Sequence, residues 1–283
     1  MSTITHSLPT QPTGPSSHQA PIGQYVATFA ALLGRDLAVL RANFGEFAAQ
    51  IITQPLLLVF VFTYLLPKTG INLGGRGFSF AAVLLPGLLA STAFTTGISV
   101  VTAPLSADLG ATREIDDRAT APVPVWTIAI EKITFGAWQA LLAGILVFPL
   151  AYLIPATPVH IHITNWPLLI AVTVIASLLS AAAGLVLGCL VRPERIGVLY
   201  GVLVIPITFL GCVYYPWAQL AHVRWAQILV LANPLVYVSE AMRAVLTPNI
   251  QHMSAGAYLP ATTILLAALT MLGIRLLTRR LQA

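Results

Sequence analysis

Long stretches without a single charged side chain constrain this chain more than anything else in it. Residues 47–67, 77–107, 133–191, 196–223 and 255–274 contain no Asp, Glu, Lys or Arg. Only 8% of the 283 residues are charged, where a soluble globular protein carries about 25%. A helix of about 20 apolar residues crosses the roughly 30 Å hydrocarbon core of a bilayer, so these runs predict a polytopic membrane protein. In lipid every backbone N–H and C=O must be paired within the protein, which leaves helices or a closed barrel. Barrel strands alternate polar and apolar residues, whereas 56–61 and 168–175 are apolar almost throughout. The predicted class is therefore all-α integral membrane.

Six spans fit the pattern, at about 47–66, 80–101, 125–154, 166–190, 196–213 and 258–277. With the amino terminus placed in the cytoplasm, ten Lys and Arg fall on the inner side and four (Lys68, Arg76, Arg224 and Arg243) on the outer side. This is the bias of the positive-inside rule, and it puts both termini in the cytoplasm of a cell membrane. Trp166, Tyr214, Tyr215 and Trp217 fall at the predicted outer interface, as aromatic belts do. The net charge of +5 is spread along the chain and offers no basic patch for nucleic acid. Cys189 and Cys212 lie in apolar runs without a CxxC or Cys/His cluster, which reads as packing.

Residues 1–22 are rich in Ser, Thr, Pro and Gln, uncharged, and without the basic and apolar regions of a signal peptide. They read as a disordered cytoplasmic tail. Residues 23–42 repeat Tyr25, Phe29, Leu32, Leu33, Leu37 and Leu40 at three- and four-residue spacing around Arg35, Asp36 and Arg41. That periodicity predicts an amphipathic helix, lying in the headgroup plane or extending the first span into the cytoplasm.

The island 107–118 concentrates Asp108, Arg113, Glu114, Asp116, Asp117 and Arg118 between the second and third spans. Pro104 offers a stop for the second span and Pro122 and Pro124 a start for the third. A short charged helix between two membrane helices is a handle by which a soluble partner tilts both; the plain alternative is a solvated loop. Residues 217–246 form the second irregular feature. The uncharged stretch 225–239 is too short to span, and a crossing here would move the three carboxy-terminal Arg outside. The pattern predicts two short outer re-entrant helices, about 217–232 and 234–246, with Asn233 capping the second, Pro234 in its first turn, and Glu240 and Arg243 paired on one face.

The run Leu84-Leu85-Pro86-Gly87-Leu88-Leu89-Ala90, the segment Arg113-Glu114-Ile115-Asp116-Asp117-Arg118 with Ala121-Pro122 after it, and Asn233-Pro234-Leu235 followed by Glu240-Ala241-Met242-Arg243 together resemble the ABC-2 family of ATP-binding-cassette transporter permeases, in particular those of daunorubicin-resistance and nodulation-factor export type. The resemblance covers nearly all of the chain from about residue 23 and rests on the order of motifs that are each weak alone. It implies a half-transporter that dimerises, with itself or a related permease, and binds a separate ABC ATPase carrying ATP and Mg²⁺. It further implies that 23–42 is the interfacial helix, that Arg113, Glu114, Asp116, Asp117 and Arg118 lie in the coupling helix, and that an amphipathic substrate (drug, lipid or glycolipid) leaves the cytoplasm along spans 1, 2 and 5.

The residues themselves are compatible with an external energy source. The sequence holds no GxxxxGK[ST] phosphate loop, so no cofactor is expected in this chain and no catalytic residue is assigned. An ion-coupled carrier or channel would keep ionisable groups in the membrane, yet the only candidates, Glu131 and Lys132, stand at the start of span 3. An intramembrane prenyltransferase-like enzyme would need a second acidic cluster facing Asp108, Glu114, Asp116 and Asp117 for Mg²⁺, and the other inner loop, with Arg192, Glu194 and Arg195, is basic. His160 and His162 share an outer loop with no third metal ligand. Gln50 and Gln54 on span 1 and Thr92, Thr95 and Thr96 on span 2 are candidates to line a path, or else to join helices, and Gly184 and Gly188 suggest a packing face on span 4.

Overall fold

A computed structural model describes residues 22–69, 80–110, 124–154, 163 and 165–282. The predicted coupling segment Arg113–Arg118, the tail 1–21 and the pair His160 and His162 lie outside the described residues. Those described residues are helical with no strand, as the unbroken apolar runs predict. Helix α1 (Ile22–Ala42) is followed, after a break at Asn43, by α2 (Phe44–Val59), which continues through a π turn, Phe60–Leu65, to Lys68. Then come α3 (Phe80–Gly110), α4 (Val125–Leu153) and α5 (Trp166–Leu190). A 3-10 turn, Pro193–Arg195, leads into α6, residues 196–209. Beyond it lie α7 (Arg224–Leu229), α8 (Pro234–Leu246) and α9 (Ala255–Gln282).

Among the described residues, five helices are long and apolar enough to cross a membrane: α2, α3, α4, α5 and α9. The predicted fifth span is shorter than expected. Its helix stops at Phe209, because Gly211 and Cys212 turn the chain, Cys212 in the left-handed region at φ 53°. The segment nevertheless runs the depth of the bundle. A Cβ on Gly110 of α3 would lie 2.9 Å from Pro193 Cγ, and one on Gly87 would lie 2.2 Å from the Val213 carbonyl oxygen. Residues 87–110 of a helix cover about 35 Å at 1.5 Å per residue, and 193–213 covers the same depth in the opposite sense. The segment therefore follows α3 along most of its length. It brings the chain back so that α1 and the end of α9 share one end of the bundle, where Arg280 Nε donates to the Cys189 carbonyl at 3.1 Å.

Helix α3 is the axis. In its most apolar stretch 83% of residues are buried, against 22% in α2. It packs on α5 through small residues: a Cβ on Gly97 would meet Ser180 Oγ at 2.0 Å, one on Gly184 the Ile98 carbonyl at 2.8 Å, and one on Gly188 the Leu105 side chain at 2.9 Å. Thr102 Oγ1 donates to the Gly184 carbonyl at 3.1 Å across the same seam. Without a hydrophobic drive between helices in lipid, such close approach is what holds them. The seam also explains a departure from expectation. Pro104 does not end the helix, which continues to Gly110; Leu105, fully buried against Gly188, holds the turn that the missing proline N–H weakens.

Both π turns end two positions before a proline. Pro67 follows Phe60–Leu65 and Pro206 follows Tyr200–Val204. A proline inside a helix cannot donate to the carbonyl four residues back and its ring collides with it; those carbonyls belong to Thr63 and Val202, inside the two π turns. The wider turn relieves the collision.

Candidate functional site

Three polar constellations interrupt the apolar bundle. The first is a cavity of about 310 Å³ bounded by α2, α3 and α6. All five side chains singled out as path candidates, Gln50, Gln54, Thr92, Thr95 and Thr96, line it. The four- and three-residue spacings put each set on one helical face, and the two faces meet. Ser91, Ser99, Tyr200, Thr208 and Tyr214 complete the polar lining and were not anticipated there. The spacing Ser91, Thr95, Ser99 was the available signal; Tyr200 and Thr208 carry none without knowing that α6 faces α3. No charged residue lines the cavity among the described residues. Gln50 and Gln54 are exposed among the described residues.

A second cavity of about 620 Å³ adjoins the first at the α1 end and shares Phe47, Gln50 and Val100 with it. Here the lining is charged: Arg35, Asp36, Glu46, Asp108 and Lys132. Lys132 Nζ donates to Asp36 Oδ2 at 3.1 Å and lies 3.8 Å from Glu131 Oε2. Glu131 is fully buried. The pair docks α1 onto the first turns of α4, with Lys132 14 positions along the chain from Arg118, the last predicted coupling residue. Burial raises the Asp36 carboxyl, but the Lys132 ammonium, by charge and hydrogen bond, with Arg35 adding to it, outweighs this and holds the group below its ordinary value of 3.8.

The third constellation closes the opposite end. Asn233 Oδ1 accepts from the Leu235 amide at 2.9 Å, capping α8, while its Nδ2 donates to the Ile207 carbonyl at 2.7 Å. Residues 224–232 and α8 meet at a bend of 100°, with Pro234 in the first turn of α8. Glu240 and Arg243, both fully buried, form an ion pair. Glu240 Oε1 also accepts from the Trp217 amide at 2.9 Å and Oε2 from the Met253 amide at 2.8 Å. Arg243 Nη2 donates to the Cys212 carbonyl at 2.9 Å and to the Val83 carbonyl at 3.5 Å. One pair thus ties the end of α6, the start of α3, the head of the irregular segment and the lead into α9. All four thus meet around this one pair. The left-handed Cys212 aims its carbonyl at Arg243, a requirement the sequence does not announce.

This arrangement can accommodate a molecule between helices. A sequence model of the family described as ABC-2 type transporter matches residues 27–247. The inner membrane transport permease YadH of Escherichia coli K12 is 27% identical over 178 residues, 59% of this chain and 63% of that protein. The proteins of the same name from Escherichia coli O157:H7 and Shigella flexneri match to the same extent. The alignment spans a little under two thirds of these relatives' length. The family match covers most of the chain, and it joins the multi-pass helical bundle and its internal cavity in one conclusion: this chain belongs to the ABC-2 type transporter family.

Proposed function

We propose that the chain is the membrane subunit of an ATP-driven exporter that moves an amphipathic substrate out of the cytoplasm along the α2–α3–α6 cavity. The observation that carries this reading is the convergence of Gln50, Gln54, Thr92, Thr95 and Thr96 on one cavity that opens into a charged vestibule at the α1 end. A polar track through an apolar bundle is costly to keep unless something uses it. In this reading the α1 end faces the cytoplasm, where ten of the fourteen Lys and Arg would lie. Arg113, Glu114, Asp116, Asp117 and Arg118 form the contact with a separate ABC ATPase, which supplies ATP and Mg²⁺. A second copy, or a related permease, covers the exposed amides of α2, which would otherwise face lipid. The drug-resistance and multidrug character of the resemblance belongs to the same proposal.

An ion-coupled carrier is less well supported, since Glu131 and Lys132 stand outside the lining of the 310 Å³ cavity. The test is reconstitution of the permease with its ATPase in vesicles. ATP-dependent accumulation of a fluorescent amphiphile supports the reading, and movement by the permease alone without nucleotide ends it.

A further inference from the structure

Helices α5 and α9 end side by side, and a guanidinium joins their ends. A Cβ on Gly273 would lie 2.6 Å from Leu185 Cδ2, and Leu277, one turn on, is buried in the same cluster as Cys189. Three residues further, Arg280 Nε donates to the Cys189 carbonyl at 3.1 Å. In a continued helix that carbonyl would receive the N–H of residue 193, but Pro193 has none. Arg280 thus caps α5 with one of its five N–H groups and keeps the four on Nη1 and Nη2. Three residues after the capped carbonyl, at most about 11 Å of chain, comes Arg192. Arg195 follows in the 3-10 turn that begins at Pro193, beside Gly110 of α3. All three arginines are exposed, and none forms an ion pair among the described residues. Glu194 is the one acidic side chain in the turn. The depth is that of lipid head groups: the 25 residues of α5 measure about 37 Å, against a hydrocarbon core of about 30 Å.

We propose that Arg280 and Arg192, with Arg195 beside them, form a site for the phosphate of an anionic phospholipid in the adjoining leaflet. A guanidinium presents a planar fork that matches two phosphate oxygens. Its tie to the α5 carbonyl reduces the side-chain freedom that binding would remove. Basic groups between membrane helices at head-group depth are suited to such lipids. The exposed Leu190 and Val198 flank the turn and offer apolar contact to the acyl chains. A general excess of positive charge at this end would be met by an arginine anywhere in the loop; it does not account for a guanidinium bonded to the last turn of α5. Arg275 and Arg279 give the contrast. Each is two residues from Leu277, so both stand on the face of α9 turned away from α5, roughly one helix diameter of 10 Å from the junction. The lipid site is separate from the α2–α3–α6 cavity and holds whether or not that cavity carries substrate.

The full chain, purified in detergent and stripped of lipid, is titrated with dioleoyl phosphatidylglycerol and with dioleoyl phosphatidylcholine, and bound lipid is counted by native mass spectrometry. The anionic lipid is expected to bind at least about fivefold more tightly. Arg192→Gln with Arg280→Gln is expected to weaken it about 25-fold, at about fivefold for each charge. Arg275→Gln with Arg279→Gln removes the same charge and is expected to weaken it less than about threefold, because salt screens charges beyond about 8 Å. Arg192→Gln alone weakens binding about fivefold; it leaves the α5 cap in place and keeps the test open if loss of that cap unseats α9. Equal weakening by the two double variants, no effect of Arg192→Gln, or equal affinity for the two lipids overturns the proposal. Displacement of bound phosphatidylglycerol by millimolar inorganic phosphate also overturns it, by marking the site as one for a soluble anion.

Discussion

Replacing Arg243 by Met, which fills most of the same space without charge, isolates the Glu240 carboxylate in a site with no solvent exposure. Removing one member of a buried ion pair costs about 3–5 kcal/mol, because the remaining charge has no compensation. Two contacts are lost with it, to the Cys212 and Val83 carbonyls; the first of these is short and buried and adds about 1–3 kcal/mol if left without a donor. The change thus removes about 4–8 kcal/mol, a large part of the total stability of an ordinary domain. For proteins of 150–250 residues each kcal/mol lowers the melting temperature by about 2–4 °C, so a fall of more than about 10 °C is expected. The double replacement Glu240→Leu with Arg243→Met removes the isolated charge and recovers part of the loss. It still strands the Trp217 and Met253 amides, so it does not reach the wild-type value. Tryptophan fluorescence melting in detergent measures all three proteins. A single variant within about 2 °C of wild type, or a double variant less stable than the single one, would refute the view that this pair holds the α8 end of the bundle together.

Gly97→Ala places a methyl carbon 2.0 Å from Ser180 Oγ and is expected to cost about 1–3 kcal/mol by overpacking, with partial rescue by Ser180→Gly; yield and monodispersity on gel filtration report both. Asp36→Asn loosens α1 from α4, which hydrogen exchange of α1 detects. Because the folded Asp36 pKa lies below its ordinary value of 3.8, the contribution of this contact is fully present above that value and is lost only as pH falls through the lower folded value; α1 exchange that rises already between pH 7 and 5 contradicts the assignment. Charge reversal at Glu114, Asp116 or Arg118 is expected to separate ATP hydrolysis from transport while membrane insertion is retained, and unchanged transport in all three removes the coupling role.

What could be read from the chain alone divides along physical lines. Uncharged runs report spans because lipid forbids unpaired backbone, and that constraint is local to each run. The cap at Asn233 and the pairing of Glu240 with Arg243 were equally legible, since both depend on spacings of two and three residues within one helix. Contacts between distant segments were not. Nothing near Cys212 signals that its carbonyl must reach Arg243, and nothing in Asp36 names Lys132, 96 positions away, as its partner. Gly87 was quoted within a motif without its reason, which is the backbone of Val213 lying where a Cβ would stand. Pro104 misled because a proline rule describes an isolated helix, and here the packing of Leu105 on Gly188 outweighs the lost hydrogen bond.

The walls of the 310 Å³ cavity differ in how tightly they are held. Helix α3 is locked to α5 by glycine contacts too close to admit a methyl group, and its residues are mostly buried. The two helices that face it, α2 and α6, are more exposed than α3, and each carries a π turn that ends two positions before a proline. A close-packed seam moves only by breaking many contacts at once, whereas a helix with an interrupted hydrogen-bond ladder bends where the interruption lies. If the cavity opens alternately to the two faces of the membrane, as the proposed function requires, the change in shape falls on α2 and α6. Their inner faces hold Gln50, Gln54, Tyr200 and Thr208, and the opposite wall, with its hydroxyls from Ser91 to Ser99, stays fixed. Export in this protein would then consist of two kinked helices moving past a stationary track, rather than of two rigid halves rocking about a central site.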